Sequence, residues 1–288
     1  MGKDDAHGKE PFTPPLPQPV EGFPDYGHLS LASVGNARDL GGMPAADGRR
    51  IRKGRLLRSG DLNGLSALDE RTLVDGCDLR RIVDLRTKME IRGAEDPVLR
   101  LPGIDYEYLP VLCEDEVLAA DLSDLKANLH VMAEFTLDAS DYMRELYVKC
   151  VMGDDGRRAY SRLLHGLLES PEGATLWHCT QGKDRTGLAA MLVEHSLGVP
   201  AEAIYQDYLA TNLFMDGWLQ RLQRFLDTLR IAKTVDADLE AYIYADPANL
   251  RAALDAVVKG FGSLDGYLEE ALDFGPAAQR ELRELYLE

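Results

Sequence analysis

The sequence predicts an α/β fold: a central, mainly parallel sheet flanked by helices, with a helical C-terminal half. Three observations carry that expectation. Arg81–Leu85 (RIVDL) is a short β-branched run, the pattern of a buried strand. Ala174–Trp177 (ATLW) is a second such run, followed after a short loop by the strongly apolar stretch Leu188–Leu197, so strand, loop and helix follow one another as in a crossover unit. From Pro200 onward the periodicity is helical throughout.

The remaining elements follow in chain order. Residues 1–26 carry Pro14, Pro15, Pro17 and Pro19 with little apolar periodicity, and read as an extended or partly disordered lead-in to a single domain over 27–288. His28–Val34 and Arg55–Arg58 read as short strands separated by the turn-rich Asn36–Gly42. Ser66 with Asp69 three residues later marks a capped helix start. Tyr106–Leu112 is a further strand candidate, and Glu114–Lys149 is acidic and helix-prone. Tyr160–Leu168 has amphipathic helical spacing and stops at Ser170, Pro171 and Gly173. Gly198 is a natural helix stop and Pro200 a natural start, and PAAQRELRELYLE closes the chain as helix.

Composition narrows the function classes. With 45% hydrophobic and 28% charged residues over 288 positions, a core forms without disulfide or metal staples. No apolar run reaches the roughly 18–20 residues of a membrane span, and the N-terminus lacks an apolar signal core. A soluble, cytoplasmic protein with no integral membrane segment is expected. The formal charge of −17 opposes a nucleic-acid partner or an anionic membrane surface, since both need broad basic patches. Any anionic ligand must be held by a sharply focused positive site. Cys77, Cys113, Cys150 and Cys179 are scattered with no CxxC and no His pair at zinc spacing, so no metal and no cofactor is expected.

The segment His178–Gly187 (HCTQGKDRTG) supplies such a focus. Cys179 is followed after five residues by Arg185, Thr186 and Gly187, where a strand ends and an apolar helix begins. A loop closing onto a helix N-terminus gathers unpaired N–H groups and the positive end of the helix dipole, which makes an anion nest. Thr180, Gln181, Gly182, Lys183, Asp184 and Arg185 are thus the candidate phosphate-binding residues. Gly182 allows close backbone approach, and the Arg185 fork grips two oxygens of one phosphate. The same field favours the thiolate of Cys179, a nucleophile for an in-line attack on phosphorus. Thr186 is placed to donate its hydroxyl to the sulfur as it leaves, and His178 to orient the loop. Lys183 has two readings: a second positive charge at the pocket mouth, or a charge offset within the acidic envelope.

HCTQGKDRTG resembles the signature of the protein tyrosine phosphatase superfamily. The Lys183-Asp184 pair resembles the branch of bacterial tyrosine and phosphoinositide phosphatases typified by protein tyrosine phosphatase B. Asn36–Gly42, Leu57–Gly60 and Ile82–Arg86 with Glu90 are similar to that family's N-terminal half, and Asp207–Leu209 and Gly262–Leu268 to its helical C-terminal half. The resemblance spans about residues 28–287. It implies a phosphomonoester hydrolase working through a phosphocysteine on Cys179, with Arg185 holding the phosphate. It also implies a helical lid over the site, formed by 113–150, and the general-acid role for Asp184. Rival acids are Asp84, at the end of a sheet strand, and Asp154 or Asp155, upstream of the signature. A phosphorylated protein, a phosphoinositide and a soluble inositol phosphate all fit as substrate. A phosphoprotein-binding module without turnover and a sulfur-transfer enzyme are the readings outside phosphatase chemistry.

Asp84-Leu85-Arg86 and Arg38-Asp39 read chiefly as buried ion pairs beneath the loop, and Tyr142, Met143 and Tyr147 as packing residues of the lid.

Overall fold

The computed structural model describes residues 13–113, 139–169, 172–215 and 242–288. Within them lies one five-stranded sheet. Its strands are β1 (Arg38–Asp39), β2 (Leu56–Ser59), β3 (Leu79–Asp84), β4 (Asp105–Tyr108) and β5 (Ala174–His178), in the order β1-β2-β5-β3-β4. β1 runs antiparallel to β2, and every other pairing is parallel. The described helices are α1 (Ala67–Arg71), α2 (Lys88–Ile91), α3 (Ala139–Met152), α4 (Asp154–Glu169), α5 (Asp184–Ser196), α6 (Ala201–Ala210), α7 (Pro247–Phe261), α8 (Leu264–Leu272) and α9 (Pro276–Tyr286). The mixed first half, helical second half and mostly parallel sheet agree with the fold class read from the sequence.

Alternation along the strands builds two cores. Ile82 and Leu176 join Leu57 and Leu73 in the smaller one, whereas Val83 and Trp177 join the larger one formed with α3 to α9. Both faces are covered, which is the usual condition of parallel strands. All five residues of the central β5 are buried, and so is most of α5, from Arg185 to Ser196. Register then fixes the site. Ser59 and Asp84 both pair with His178, so β2, β5 and β3 end together and Cys179 leaves the sheet at their shared C-terminal edge. Ligand sites of open α/β sheets lie at this edge, where the following helices present their N-termini.

Several boundaries depart from the sequence reading. His28–Val34 is not a strand; only His28 bridges Arg38, and the strand is Arg38–Asp39 within the segment read as turn-rich. The reason is local. The Asp69 carboxylate accepts from the backbone N–H of Ala32 (3.2 Å) and Ser33 (2.7 Å), which takes those donors away from a ladder. The helix start at Ser66 is as predicted, its hydroxyl accepting from Asp69 N at 3.1 Å. The last strand candidate of the first half ends at Tyr108 rather than Leu112. Of the lead-in, residues 13–26 are described, and Val20, Phe23 and Tyr26 are buried in the main core. Of the expected lid, residues 114–138 lie outside the described residues, as do 216–241, and Ala139–Met152 is α3.

Arg38 does not pair with Asp39, whose carboxylate instead accepts from the N–H groups of Gly41 and Gly54. Its partner is Asp207 on α6. Arg38 Nη1 reaches Asp207 Oδ1 and Arg58 Nη1 reaches Asp207 Oδ2, each at 2.5 Å, with all three side chains essentially inaccessible. Burial, then the neighbouring Arg58, pulls Arg38 down to about 10, so it stays charged at neutral pH. Glu194 on α5 lies close by, but burial and the Asp207 charge hold its carboxyl well above the usual carboxylate range. A neutral Glu194 leaves Asp207 to balance both guanidiniums. Asp207→Asn therefore strands buried charge and is expected to lower stability by about 3–5 kcal/mol, seen as a lower urea midpoint at unchanged slope. A loss below about 1 kcal/mol would contradict this arrangement.

Candidate active site

Residues 179–183 form a loop between β5 and α5, and their carbonyl oxygens are held from outside. Thr180 O accepts from Asp61 N at 3.1 Å and Gln181 O from Asn36 Nδ2 at 3.3 Å. Gly182 O accepts twice, from Asn36 Nδ2 at 2.8 Å and from Arg58 Nη2 at 3.0 Å. Lys183 O accepts from Gly187 N at 2.9 Å within the first turn of α5. The described residues contain no cis peptide bond. In a planar trans peptide the N–H points opposite the preceding C=O. Carbonyls fastened outward at Thr180, Gln181 and Gly182 therefore turn the N–H groups of Gln181, Gly182 and Lys183 inward. Cys179 lies at the start of this cradle and is only 2% exposed. Amides turned this way at the N-terminus of a helix are able to hold an anion.

Gly182 makes this curvature attainable. Its φ is +66°, and a Cβ there would lie 2.4–2.6 Å from Ser59 C, Ser59 O and Gly60 N, all of them backbone. Gly182→Ala is expected to cost about 2–4 kcal/mol from overpacking and the left-handed backbone together, and to remove turnover of p-nitrophenyl phosphate. Denaturant titration and a steady-state assay check the two halves.

Arg185 is buried, 7% exposed, with its fork locked on Glu90: Nη1 to Oε2 and Nη2 to Oε1, both at 2.5 Å. Glu90 is itself fixed, because it closes a capping box with Thr87 at the start of α2 and accepts from Thr180 Oγ1 at 2.7 Å. A guanidinium has five N–H donors; two are given to Glu90 and three are not. Burial opposes ionisation of Glu90, but Arg185 overrides it and brings the carboxyl down to about 2. A depressed carboxylate stabilises the fold fully above its unfolded value, near 4.5, and the contribution is lost as pH falls toward 2. Between those limits Glu90→Gln should flatten the acid-unfolding profile, removing a pH-dependent contribution of about 3 kcal/mol. Equal pH slopes in both proteins would contradict the pairing.

His178 and Asp84 brace the loop from below. His178 Nε2 lies 2.9 Å from Asp96 Oδ2, and Arg86 pairs with both Asp84 (2.7 Å) and Asp96 (3.0 Å), all fully buried. Despite burial, Asp84 and Asp96 raise His178 to about 9, so a charged imidazolium lies beneath the loop at neutral pH. Asp84 resists its own burial through His178 and Arg86 and is held at about 2. A carboxylate so firmly ionised is unsuited to donate a proton, which argues against Asp84 as the acid. Asp84, Asp96 and His178 are close enough to share a metal ion, but Arg86 and the imidazolium already supply the cations there. Asp154 and Asp155 stand at the start of α4 in surface pairs with Arg157 and Arg158.

Asp184 opens α5 in the wall of the loop, its side chain 18% exposed. Lys183 lies close to it but is wholly buried. Its Nζ donates to Tyr242 O at 2.7 Å and Tyr244 O at 3.4 Å, and lies 3.3 Å from Asp184 Oδ1. That placement matches the charge-offset reading better than a charge at the pocket mouth. The Thr186 hydroxyl is buried without a hydrogen-bond partner among the described residues. Asn36, Arg58, Glu90, Asp96 and Asp207 support the loop; all but Asp96 fall in segments that carry the family resemblance, but no role was read for them, and the capping-box spacing Thr87-x-x-Glu90 is the one local signal among them.

Comparison with known proteins gives the same reading. The model of the family described as "Tyrosine phosphatase family" matches residues 29–288. A Cupriavidus necator protein, described provisionally as a tyrosine-protein phosphatase, is 33% identical over 278 residues, covering 96% of this chain and 93% of its own. The triple specificity protein phosphatase PtpB of Mycobacterium tuberculosis is 28% identical over 267 residues, 84% of this chain and 92% of that protein. A tyrosine-protein phosphatase of Nostoc commune is 26% identical over 174 residues, 60% of this chain and 54% of that protein. The chain belongs to the tyrosine phosphatase family, hydrolases that act through a catalytic cysteine.

Proposed function

We propose that this phosphatase hydrolyses phosphotyrosine in proteins through a phosphocysteine on Cys179. The observation that carries the proposal is the loop whose carbonyls are fastened outward, so that its amides surround the sulfur. Sγ attacks phosphorus in line with the ester oxygen. As the P–O bond breaks, the phenolic oxygen takes a proton from Asp184, and the equatorial oxygens rest on the loop amides of Thr180 to Lys183 and on Arg185. Water, deprotonated by the same Asp184, then attacks the phosphocysteine, and Sγ departs as thiolate with the Thr186 hydroxyl turned to it. His178 and Asp84 hold the loop in place. The catalytic unit is a single domain over 27–288, acting in the cytoplasm; no described helix is long and apolar enough to cross a membrane.

The burial of the sulfur and the placement of charge support this substrate class. A sulfur at the floor of a nest favours a phosphate carried on a long, flat phenol over the shorter phosphoserine. The triple specificity named for the Mycobacterium tuberculosis relative raises phosphoinositides as a second reading. The placement of Lys183 on two backbone carbonyls favours the monophosphate, since that ammonium is already committed.

Cys179→Ser should fold normally, still bind vanadate, and lose at least about 10³ in kcat toward a phosphotyrosine peptide. Among wild-type substrates, that peptide should exceed a phosphoserine peptide and a phosphatidylinositol phosphate by about tenfold or more in kcat/KM. A serine variant with near-normal turnover would overturn the mechanism, and a faster phosphoinositide would reverse the substrate order.

A further inference from the structure

Two buried phenols stand behind Asp184. Tyr147 on α3 is fully buried and donates its hydroxyl to Asp184 Oδ1 at 2.6 Å. Tyr208 on α6, 2% exposed, lies with its hydroxyl 2.9 Å from that of Tyr147 and 3.1 Å from Asp246 O. The rings meet edge to face, 6.3 Å between centroids. A phenol has one proton. That of Tyr147 goes to Oδ1, and that of Tyr208 is shared between the two acceptors within its reach, the Tyr147 oxygen and Asp246 O. Burial, followed by the Asp184 charge, holds both phenols well above their ordinary range, so they stay protonated donors throughout the working pH. Lys183 Nζ, 3.3 Å from the same Oδ1, gives that oxygen a second positive neighbour. One carboxyl oxygen is thus occupied by protein, and a proton on the carboxyl belongs on the other.

We propose that Tyr147 is the positioning residue of the general acid: its hydroxyl engages Oδ1 of Asp184 and so assigns the transferable proton to Oδ2. This rests on Asp184 being that acid. It reassigns Tyr147 from the lid-packing role read from its helical spacing, and gives Tyr208 the part of orienting Tyr147.

The test is leaving-group dependence. Phenyl phosphate needs a proton on its departing oxygen, whereas 2,4-dinitrophenyl phosphate departs largely without one. Tyr147→Phe should lower kcat for phenyl phosphate about tenfold or more and for the dinitrophenyl ester no more than about threefold, with KM for both changed less than about twofold. Asp184→Asn should show the same selectivity more strongly, and the double variant should be no slower than Asp184→Asn alone. Tyr267→Phe removes an equally buried phenol whose hydroxyl is donated to Val151 O at 2.6 Å, and should leave the selectivity unchanged. Should Tyr147→Phe not yield folded protein, Tyr208→Phe carries the test, with a two- to threefold loss confined to phenyl phosphate. Equal slowing of both esters by Tyr147→Phe, or by Tyr208→Phe in its place, while Asp184→Asn stays selective overturns the role of Tyr147 alone. An unselective Asp184→Asn overturns the acid assignment and this inference with it.

Discussion

The Gly182 carbonyl is the fixed point from which the site is built. Two buried donors, the Asn36 amide and the Arg58 guanidinium, hold this oxygen from outside the loop. Releasing it would let the Gly182–Lys183 peptide turn, and a carbonyl would then face the ligand in place of an N–H. The clamp is rigid because Arg58 is in turn held by Asp207, which also holds Arg38. A chain of buried charge therefore runs from Asp207 on α6 through Arg58 on β2 to one peptide plane of the loop, with Arg38 on β1 sharing the same carboxylate. Burying a paired charge gains little net stability but fixes geometry wherever its partner is removed only at high cost. That describes the demand here, where the loop must keep several dipoles aimed inward against their own mutual repulsion.

How much of this could be read from the sequence depends on whether the determinant was local. The strand Ala174–His178, the cysteine loop and the apolar α5 follow one another without interruption, and each was legible from composition and spacing. Ser66 and Asp69 gave a helix start for the same reason. The expected strand over His28–Val34 failed because its backbone donors are taken by Asp69, whose proximity no short-range pattern reveals. Arg38 misled in the same way: the adjacent Asp39 offered an obvious partner, and the true one lies 169 positions away. The supports of the loop are all of this second kind. Asn36 to Gly182 and Glu90 to Arg185 are separated by 146 and 95 positions, and only the sheet order brings them together.

The charges around the site bear on how an acidic protein accepts a dianion. The sequence suggested that Arg185 and the loop amides supply a focused positive site, with Lys183 either a second charge at its mouth or a charge offset. In the fold, each cation near the loop faces a carboxylate: Arg185 Glu90, Lys183 Asp184, Arg58 and Arg38 Asp207, Arg86 and His178 the pair Asp84 and Asp96. Much of their field is thus cancelled at a distance. What is not cancelled is short-ranged, namely the inward N–H dipoles, the N-terminus of α5 and the three Arg185 donors beyond those held by Glu90. Such a source is strong only within a few ångströms. It discriminates by contact rather than by long-range attraction, and a chain of net charge −17 provides no steering of anions from afar. Entry then depends on the shape of the group that carries the phosphate. This is the physical ground for expecting a substrate presented on a long, neutral aromatic ring, whose phosphate meets the dipoles only after the ring has entered.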